Sequence, residues 1–352
     1  MLWTDTGSPA ETGPTGVIRS RIIHPGYPSP DSCWGKKQMR IEFIRREDLP
    51  ALAAFCQRNI EHDEFTRPLI EDKTFGDPHF DAELNLVGRS GDRIVAFMPG
   101  LCKDRQGRPT GWIKWFAVDR DRRREGLGSL MLEEMERRLM ERGAGEIRVS
   151  DCAPNYLQPG VDPRNTAAAA FLLRRGYVKG GDFFHMEADL KGRDWSTAEG
   201  EQRPKQERIL QREEFSFRRL EPDDREPFLD FLGGDRREDA YRVDACYRQD
   251  PISCHIALRK GSIVAYAQYD VDRPGWFGAM RTAEQYRRAK GLGTILFKRC
   301  MADMERLGYE KALIGWVAPL YFYARVADAR VCRTMWLFTK KLSASGSAPS
   351  AS

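Results

Sequence analysis

The chain has 352 residues, of which 41% are hydrophobic and 31% charged, with a formal net charge of +5. That length accommodates two domains of common size, each with a core of its own. So small a charge lacks the strongly basic stripe typical of nucleic-acid binders, and no apolar run approaches the ~18 residues a membrane span needs. A soluble, cytoplasmic protein with neither a nucleic acid nor a membrane as partner is therefore expected. The eight cysteines are scattered without a Cys-x-x-Cys pair or paired-His spacing, which speaks against a metal centre and against a disulfide framework.

Residues 1–38 are rich in Pro, Gly, Ser and Thr and lack the apolar core of a signal peptide, so a disordered extension is expected. Met39 then precedes the strand-like run Ile41-Glu42-Phe43-Ile44, and a start of the native chain at Met39 is one reading of this junction. From 39 to 192 the pattern runs strand, helices, strands, helix, strand, helix, strand. Strand-like stretches fall at 84–87, 94–101, 112–118, 147–150 and 183–190, separated by turn signals such as Ser90-Gly91-Asp92. The charged, Gln-rich stretch 193–213 reads as a linker. A second cycle, 214–342, opens with Phe215-Ser216-Phe217 and continues through strands at 254–258, 263–269, 276–282 and 312–317. Residues 343–352 form a small-residue tail, expected to be disordered.

The two cycles are an internal repeat. An offset of 165 positions carries Arg123 to Arg288, Gly126 to Gly291, Gly128 to Gly293 and Ser129 to Thr294. In the first copy Arg123-Arg124-Glu125-Gly126-Leu127-Gly128 leads into a helix with Leu127, Leu130, Met131, Met135 and Leu139 on one face. In the second, Arg288-Ala289-Lys290-Gly291-Leu292-Gly293 precedes a helix with Leu292, Ile295, Leu296, Cys300 and Met304 on the corresponding face. A glycine-rich turn opening a helix suits an anion. The first turn has free N–H groups and partial positive charge, glycines admit phosphate oxygens to the backbone, and an arginine adds charge. Neither copy has the lysine-containing phosphate loop or the third glycine of a dinucleotide fingerprint.

Strand, Arg-x-x-Gly-x-Gly, helix, strand and a Phe-bearing helix together resemble the GNAT acyltransferase superfamily from Met39 to Leu342. The stretches Asn155-Tyr156 to Asp162 and Ile314-Gly315-Trp316 to Tyr323 are similar to bacterial tandem-GNAT proteins. The resemblance implies an α/β (α+β) fold with two tandem domains, each a mixed sheet with helices on both faces. It also implies acetyl-CoA as acyl donor and a small-molecule or peptide amine as acceptor. Carried over, the cofactor positions are Val118, Arg123, Arg124, Glu125, Gly126, Leu127, Gly128, Ser129 and Asn165 in the first copy. In the second they are Ala283, Arg288, Ala289, Lys290, Gly291, Leu292, Gly293 and Thr294.

Acyl transfer from a thioester to an amine needs a neutral amine, stabilisation of the developing oxyanion and a proton for the leaving thiolate. Family members often take that proton from a Tyr after the Phe of the penultimate helix. The second copy has Phe322-Tyr323, with Tyr321 nearby, whereas the first has Phe171-Leu172. Tyr323 is thus the expected general acid and the second copy the expected catalyst, with Tyr156 as a substitute acid in the first. Asp151, His255 and His62 are candidate bases. Segments 59–81 and 233–249 are the expected source of acceptor specificity. A non-catalytic acetyl-CoA sensor and a scaffold with vestigial sites are the competing readings.

Overall fold

The computed structural model describes residues 39–195, 207, 210, 211, 213–287 and 291–342. The extension 1–38, the tail 343–352 and Arg288, Ala289 and Lys290 of the second turn lie outside them.

In the first copy β1 (Arg40–Phe43) is followed by helices α1 (Leu49–Asn59) and α2 (Arg67–Lys73), then strands β2 (Asn85–Ser90), β3 (Arg93–Asp104), β4 (Pro109–Ile113) and β5 (Ala117–Val118). Helix α3 (Leu127–Glu141), β6 (Glu146–Val149), α4 (Thr166–Arg174) and β7 (Val178–Asp189) complete it. The second copy repeats the order as β8 (Phe215–Arg219), α5 (Arg225–Leu232), α6 (Arg236–Tyr247), β9 (Cys254–Arg259), β10 (Ser262–Tyr269) and β11 (Trp276–Thr282). It ends with α7 (Leu292–Arg306), β12 (Lys311–Val317), α8 (Leu320–Ala327) and β13 (Arg330–Lys341).

Strand alternation sorts the side chains onto two faces. On β2 and β3, Leu86, Ala96 and Met98 pack with Met131, Met135 and Leu139 of α3. Their neighbours Val87 and Phe97 pack on the other side with Leu52, Phe55 and Cys56 of α1. The second copy divides in the same way: Ala257, Ala265 and Ala267 face α7, while Ile256, Leu258 and Tyr266 face α5 and α6. Helices therefore cover both faces of each half. The stripe expected on α3 needs one correction. Leu130 is 50% exposed, and Leu132 is buried in the core with Met131, Met135 and Leu139 in its place. The stretch expected as a linker contributes to the second core through the buried Trp195 and Leu210.

The two halves do not keep separate sheets. The strands run in the order β1-β2-β3-β4-β6-β13-β7-β12-β11-β10-β9-β8, with β5 beside β3. The last strand of each half thus lies in the other half's sheet. β13 pairs with β6, from Phe338 opposite Val149 to Lys341 opposite Glu146, while β7 pairs with β12. At the centre β13 and β7 pair with each other. Strand β13 has no counterpart among the stretches recognised from the sequence pattern. Its Met335 and Phe338 are fully buried, and it supplies the first half's site with a residue described below.

Candidate active site

The first copy's cleft opens where two parallel strands part. β4 and β6 run together as far as Ile113 opposite Val149, and the Ser150 N–H still donates to the Ile113 carbonyl at 2.8 Å. Ser150 then turns away with φ 78°. On the other wall the pairing with β3 slips by one residue between Ile113 opposite Gly100 and Ala117 opposite Phe97, so the chain bulges at Lys114-Trp115-Phe116. Edge groups that a sheet would pair are left facing a cavity of about 1010 Å³. Phe116, Val118, Val149, Ser150, Gly128 and Asn165 are among its lining residues.

The Arg-x-x-Gly-x-Gly turn closes one end of this cleft. Gly126 takes φ 86° and caps α3, a left-handed conformation that favours glycine. Gly128 is different: a Cβ there would stand 3.5 Å from Val118 and 3.6 Å from Phe171, ordinary contacts. The backbone amides of Leu127 and Gly128 are first-turn donors without an intrahelical partner. The turn is stitched to the end of α1, since Arg120 N donates to Asn59 Oδ1 at 2.8 Å and Arg123 Nη2 to the Asn59 carbonyl at 2.9 Å. Beneath it the buried Asp119 carboxylate accepts from Arg93 at 2.6 Å. Ser129 accepts from Arg175, while Arg122 pairs with Glu125 at 2.8 Å. Among the described residues Arg124 and Arg174, both lining the cleft, have no side-chain ion pair. That leaves two unneutralised cations near an anion-accepting helix end. Every cofactor position expected in the first copy except Glu125 lines this cleft.

A polar network also lines the cleft. Asp63, on the loop between α1 and α2, accepts both guanidinium arms of Arg333 at 2.9 and 3.0 Å. Arg333 Nε donates to Asp162 at 2.6 Å. Burial pushes the Asp162 carboxyl up, but hydrogen bonds from Arg164 and Arg333 outweigh it and hold the group at about 2. Gln158 Nε2 donates to Asp63 at 2.6 Å, and Gln158 Oε1 accepts from His185 Nε2 at 2.7 Å. Of these, Asp63 and Asp162 sit within charged or turn-forming runs that read as solvated surface. Arg333 reaches the site on an exchanged strand, which no local pattern announces.

The other expected residues fall elsewhere. Tyr156 does not line the cleft: it stands between the halves, its ring edge-on to Trp316 at 5.0 Å and its hydroxyl 3.4 Å from Asp272. Asp151 accepts from Trp112 Nε1 at 3.1 Å and from Arg148, also away from the cleft. His255 is buried and bonded to Asp303 at 2.6 Å, a pairing inside the second core. His62 is exposed, with φ 68°. Of segment 59–81, Asn59, Ile60, Glu61 and Asp63 line the cleft. Segment 233–249 instead docks on the first half, where Glu238 meets His79 at 2.9 Å and Tyr241 meets Asp72 at 3.0 Å.

In the second copy β11 and β12 also part, after Phe277 opposite Ile314, and Gly291 opens α7 with φ 71°. The Ala283 N–H donates to the Val264 carbonyl at 2.8 Å. Met280 lies across the helix start, its Cε 2.8 Å from where a Cβ on Gly293 would be. Leu292 is buried and Thr294 half-buried. Tyr323 is buried with its ring 5.5 Å from Phe297 and 5.0 Å from Phe322. Tyr321 is 78% exposed.

Parted parallel strands, with a glycine turn and helix end at the opening, make a cleft suited to an extended, anionic ligand. The chain belongs to the GNAT acetyltransferase family, whose model matches residues 47–177 and again 209–325. The family generally uses acyl-CoA donors. Among solved structures, the chain is similar to the GCN5-related glucosamine N-acetyltransferase region of a fungal multi-domain GH3 β-N-acetylglucosaminidase. The TM-score is 0.69 at 18% identity over 86% of this chain, which spans 38% of the fungal chain. It is also similar to a GCN5-related N-acetyltransferase from Sphaerobacter thermophilus, with TM-score 0.62, 15% identity and coverage of 86% and 95%. A tandem GNAT protein from the clavulanic acid biosynthesis pathway gives TM-score 0.61, 16% identity and coverage of 88% and 100%. At these identities the likeness is one of fold. No curated protein matches the chain. Among the described residues no helix is long and apolar enough to cross a membrane.

Proposed function

We propose that the chain is an acetyl-CoA-dependent N-acyltransferase whose working cleft is that of the first copy, acting on an amine in the cytoplasm. The observation that carries this reading is the cavity of about 1010 Å³ between the parted strands, closed at one end by the Gly126–Gly128 turn. The residues there fit the donor. Leu127 and Gly128 offer backbone N–H groups to a pyrophosphate, Arg124 and Arg174 offer unneutralised charge, and the Trp115–Val118 wall offers edge groups to an amide-bearing chain. Acetyl-CoA, when bound, supplies the activated acyl group. Glu61 is the one lining carboxylate that, among the described residues, no arginine neutralises, so it draws an ammonium-bearing acceptor and takes its proton through water.

The tyrosine asymmetry between the copies favours the second as catalyst, whereas the cavity beside the first copy's turn supports the first. Tyr323 is 7% exposed and packed among aromatic rings. One observation favours a non-catalytic sensor instead: no tyrosine is among the described residues lining the first cleft. Calorimetric titration with acetyl-CoA, followed by thiol release across an amine panel, separates these readings. The fold likeness to a glucosamine N-acetyltransferase region makes a hexosamine a sensible panel member. Binding with amine-dependent thiol release supports the enzyme, and binding without release supports the sensor. Absence of binding sinks both.

A further inference from the structure

Arg333 belongs to the second half by sequence, yet it lines the first half's cleft. Its guanidinium joins two separate walls. Nη1 and Nη2 fork onto Asp63 of the α1–α2 loop at 2.9 and 3.0 Å. Nε holds Asp162 at 2.6 Å, three residues before Asn165, and the Asn165 N–H donates to the Asp162 carbonyl at 2.9 Å. The side chains are shielded, with exposures of 12% for Arg333, 6% for Asp63 and 2% for Asp162. A forked guanidinium between shielded carboxylates fixes direction as well as distance. The strand beneath it is pinned too, since the Val161 and Trp336 backbones exchange hydrogen bonds at 2.9 and 2.8 Å.

We propose that Arg333 is a positioning residue of the first cleft, coupling its cofactor wall (Asp162 and Asn165) to its acceptor wall (Asp63) so that donor binding orders the acceptor end. The proposal rests on the first cleft being the donor site. Asp63 is paired on both sides, by Arg333 and by Gln158 at 2.6 Å, so it acts as an anchor of the loop rather than as a base. Glu61, two residues away on the same loop, is carried by that anchor. A ligand that immobilises the Asp162–Asn165 turn lowers the entropic cost of ordering this loop, which is positive coupling in thermodynamic terms. The exchanged strand thereby makes one catalytic unit of the two copies.

Hydrogen–deuterium exchange of the full chain, with and without saturating acetyl-CoA, tests this. In the wild type, acetyl-CoA should slow exchange about tenfold both at the 123–129 turn and at 60–66. Arg333→Met removes the clamp but leaves the shielded Asp63 without its arginine and Asp162 with Arg164 alone, and such a variant can fail to fold. Asp63→Asn removes the loop's charge and one of the two acceptor oxygens of the fork, loosening the loop from the clamp while keeping the Arg333–Asp162 pair. In Asp63→Asn the ligand-induced slowing should persist at 123–129 and fall below about twofold at 60–66. Full ligand-induced slowing at 60–66 in Asp63→Asn would overturn the coupling while leaving the donor site intact. No slowing at 123–129 in the wild type would instead overturn the donor site, and the coupling with it.

Discussion

Arg123, the first residue of the turn motif, donates from Nη2 to the backbone carbonyl of Asn59 at 2.9 Å. Its charge is therefore used to tether the turn to the end of α1 as well as to raise the local potential. Asn59 reinforces the tether from its side chain, which accepts from the Arg120 N–H at 2.8 Å. Arg123→Ala should lower acetyl-CoA affinity about tenfold. Stability should fall by about 1 kcal/mol, since one charge-assisted bond at a partly solvated site is lost. Calorimetric titration and thermal unfolding report the two quantities. Unchanged affinity would mean that the tether has no part in shaping the turn.

The two glycines of the turn should respond in opposite ways. Gly126 has space around it but φ 86°, so Gly126→Ala should cost about 1 kcal/mol in stability through backbone strain alone. Gly128 is helical and has room for a Cβ, so Gly128→Ala should leave stability unchanged or raise it by up to about 1 kcal/mol. That added methyl points toward Val118 and Phe171, into the space proposed for the donor, and should weaken acetyl-CoA binding at least about tenfold. Denaturant unfolding beside titration separates the effects. Normal binding by a stable Gly128→Ala variant would place the donor elsewhere.

The turn and its helix were legible in the sequence because their determinants are local: a glycine at positive φ, first-turn amides and an apolar stripe all lie within about four helical turns of one another. The same holds for the parted strands, whose apolar runs 112–118 and 147–150 match β4–β5 and β6 closely. The exchange of β7 and β13 was not legible, because Val178–Asp189 would carry the same alternation beside either half's sheet. Asp63 and Asp162 were hidden for a related reason. A carboxylate in a charged run reads as solvated until its distant partner is known, and here that partner is Arg333. Tyr156 shows the converse, since a hydroxyl on a loop reads as available chemistry, yet the fold buries it against Trp316 and Asp272.

His185 should make stability depend on pH. Its Nδ1 accepts the Trp316 N–H at 3.2 Å and its Nε2 donates to Gln158 at 2.7 Å, an arrangement that fits the neutral ring. Burial, aided by the nearby Arg333 charge, pushes its pKa down from 6.5 to about 4. The unfolded chain therefore takes up a proton that the folded protein refuses. The stability this neutral ring contributes is fully present above 6.5 and is lost as pH falls toward 4. Between about pH 7.5 and about pH 5 the loss should reach about 2 kcal/mol. His185→Gln should be less stable at neutral pH but show a flatter profile across that window. Equal slopes for the two proteins in urea unfolding would refute the assignment.

The last prediction concerns the hydroxyl that the sequence singles out. Tyr323 sits in the second core, where burial alone pushes its pKa up to about 12. Phe277, Phe297 and Phe322 surround its ring. A phenol in that position contributes mainly through its aromatic body, which phenylalanine reproduces. With catalysis in the first cleft, Tyr323→Phe should keep thiol release within about twofold of wild type and change stability by less than about 1 kcal/mol. Tyr323→Ala should cost about 3 kcal/mol or more, because it opens a cavity among those rings. A general acid behaves otherwise: its loss lowers turnover by about 100-fold or more at unchanged stability. That result for Tyr323→Phe would move the chemistry to the second copy, and the first cleft would then serve as a donor-binding partner.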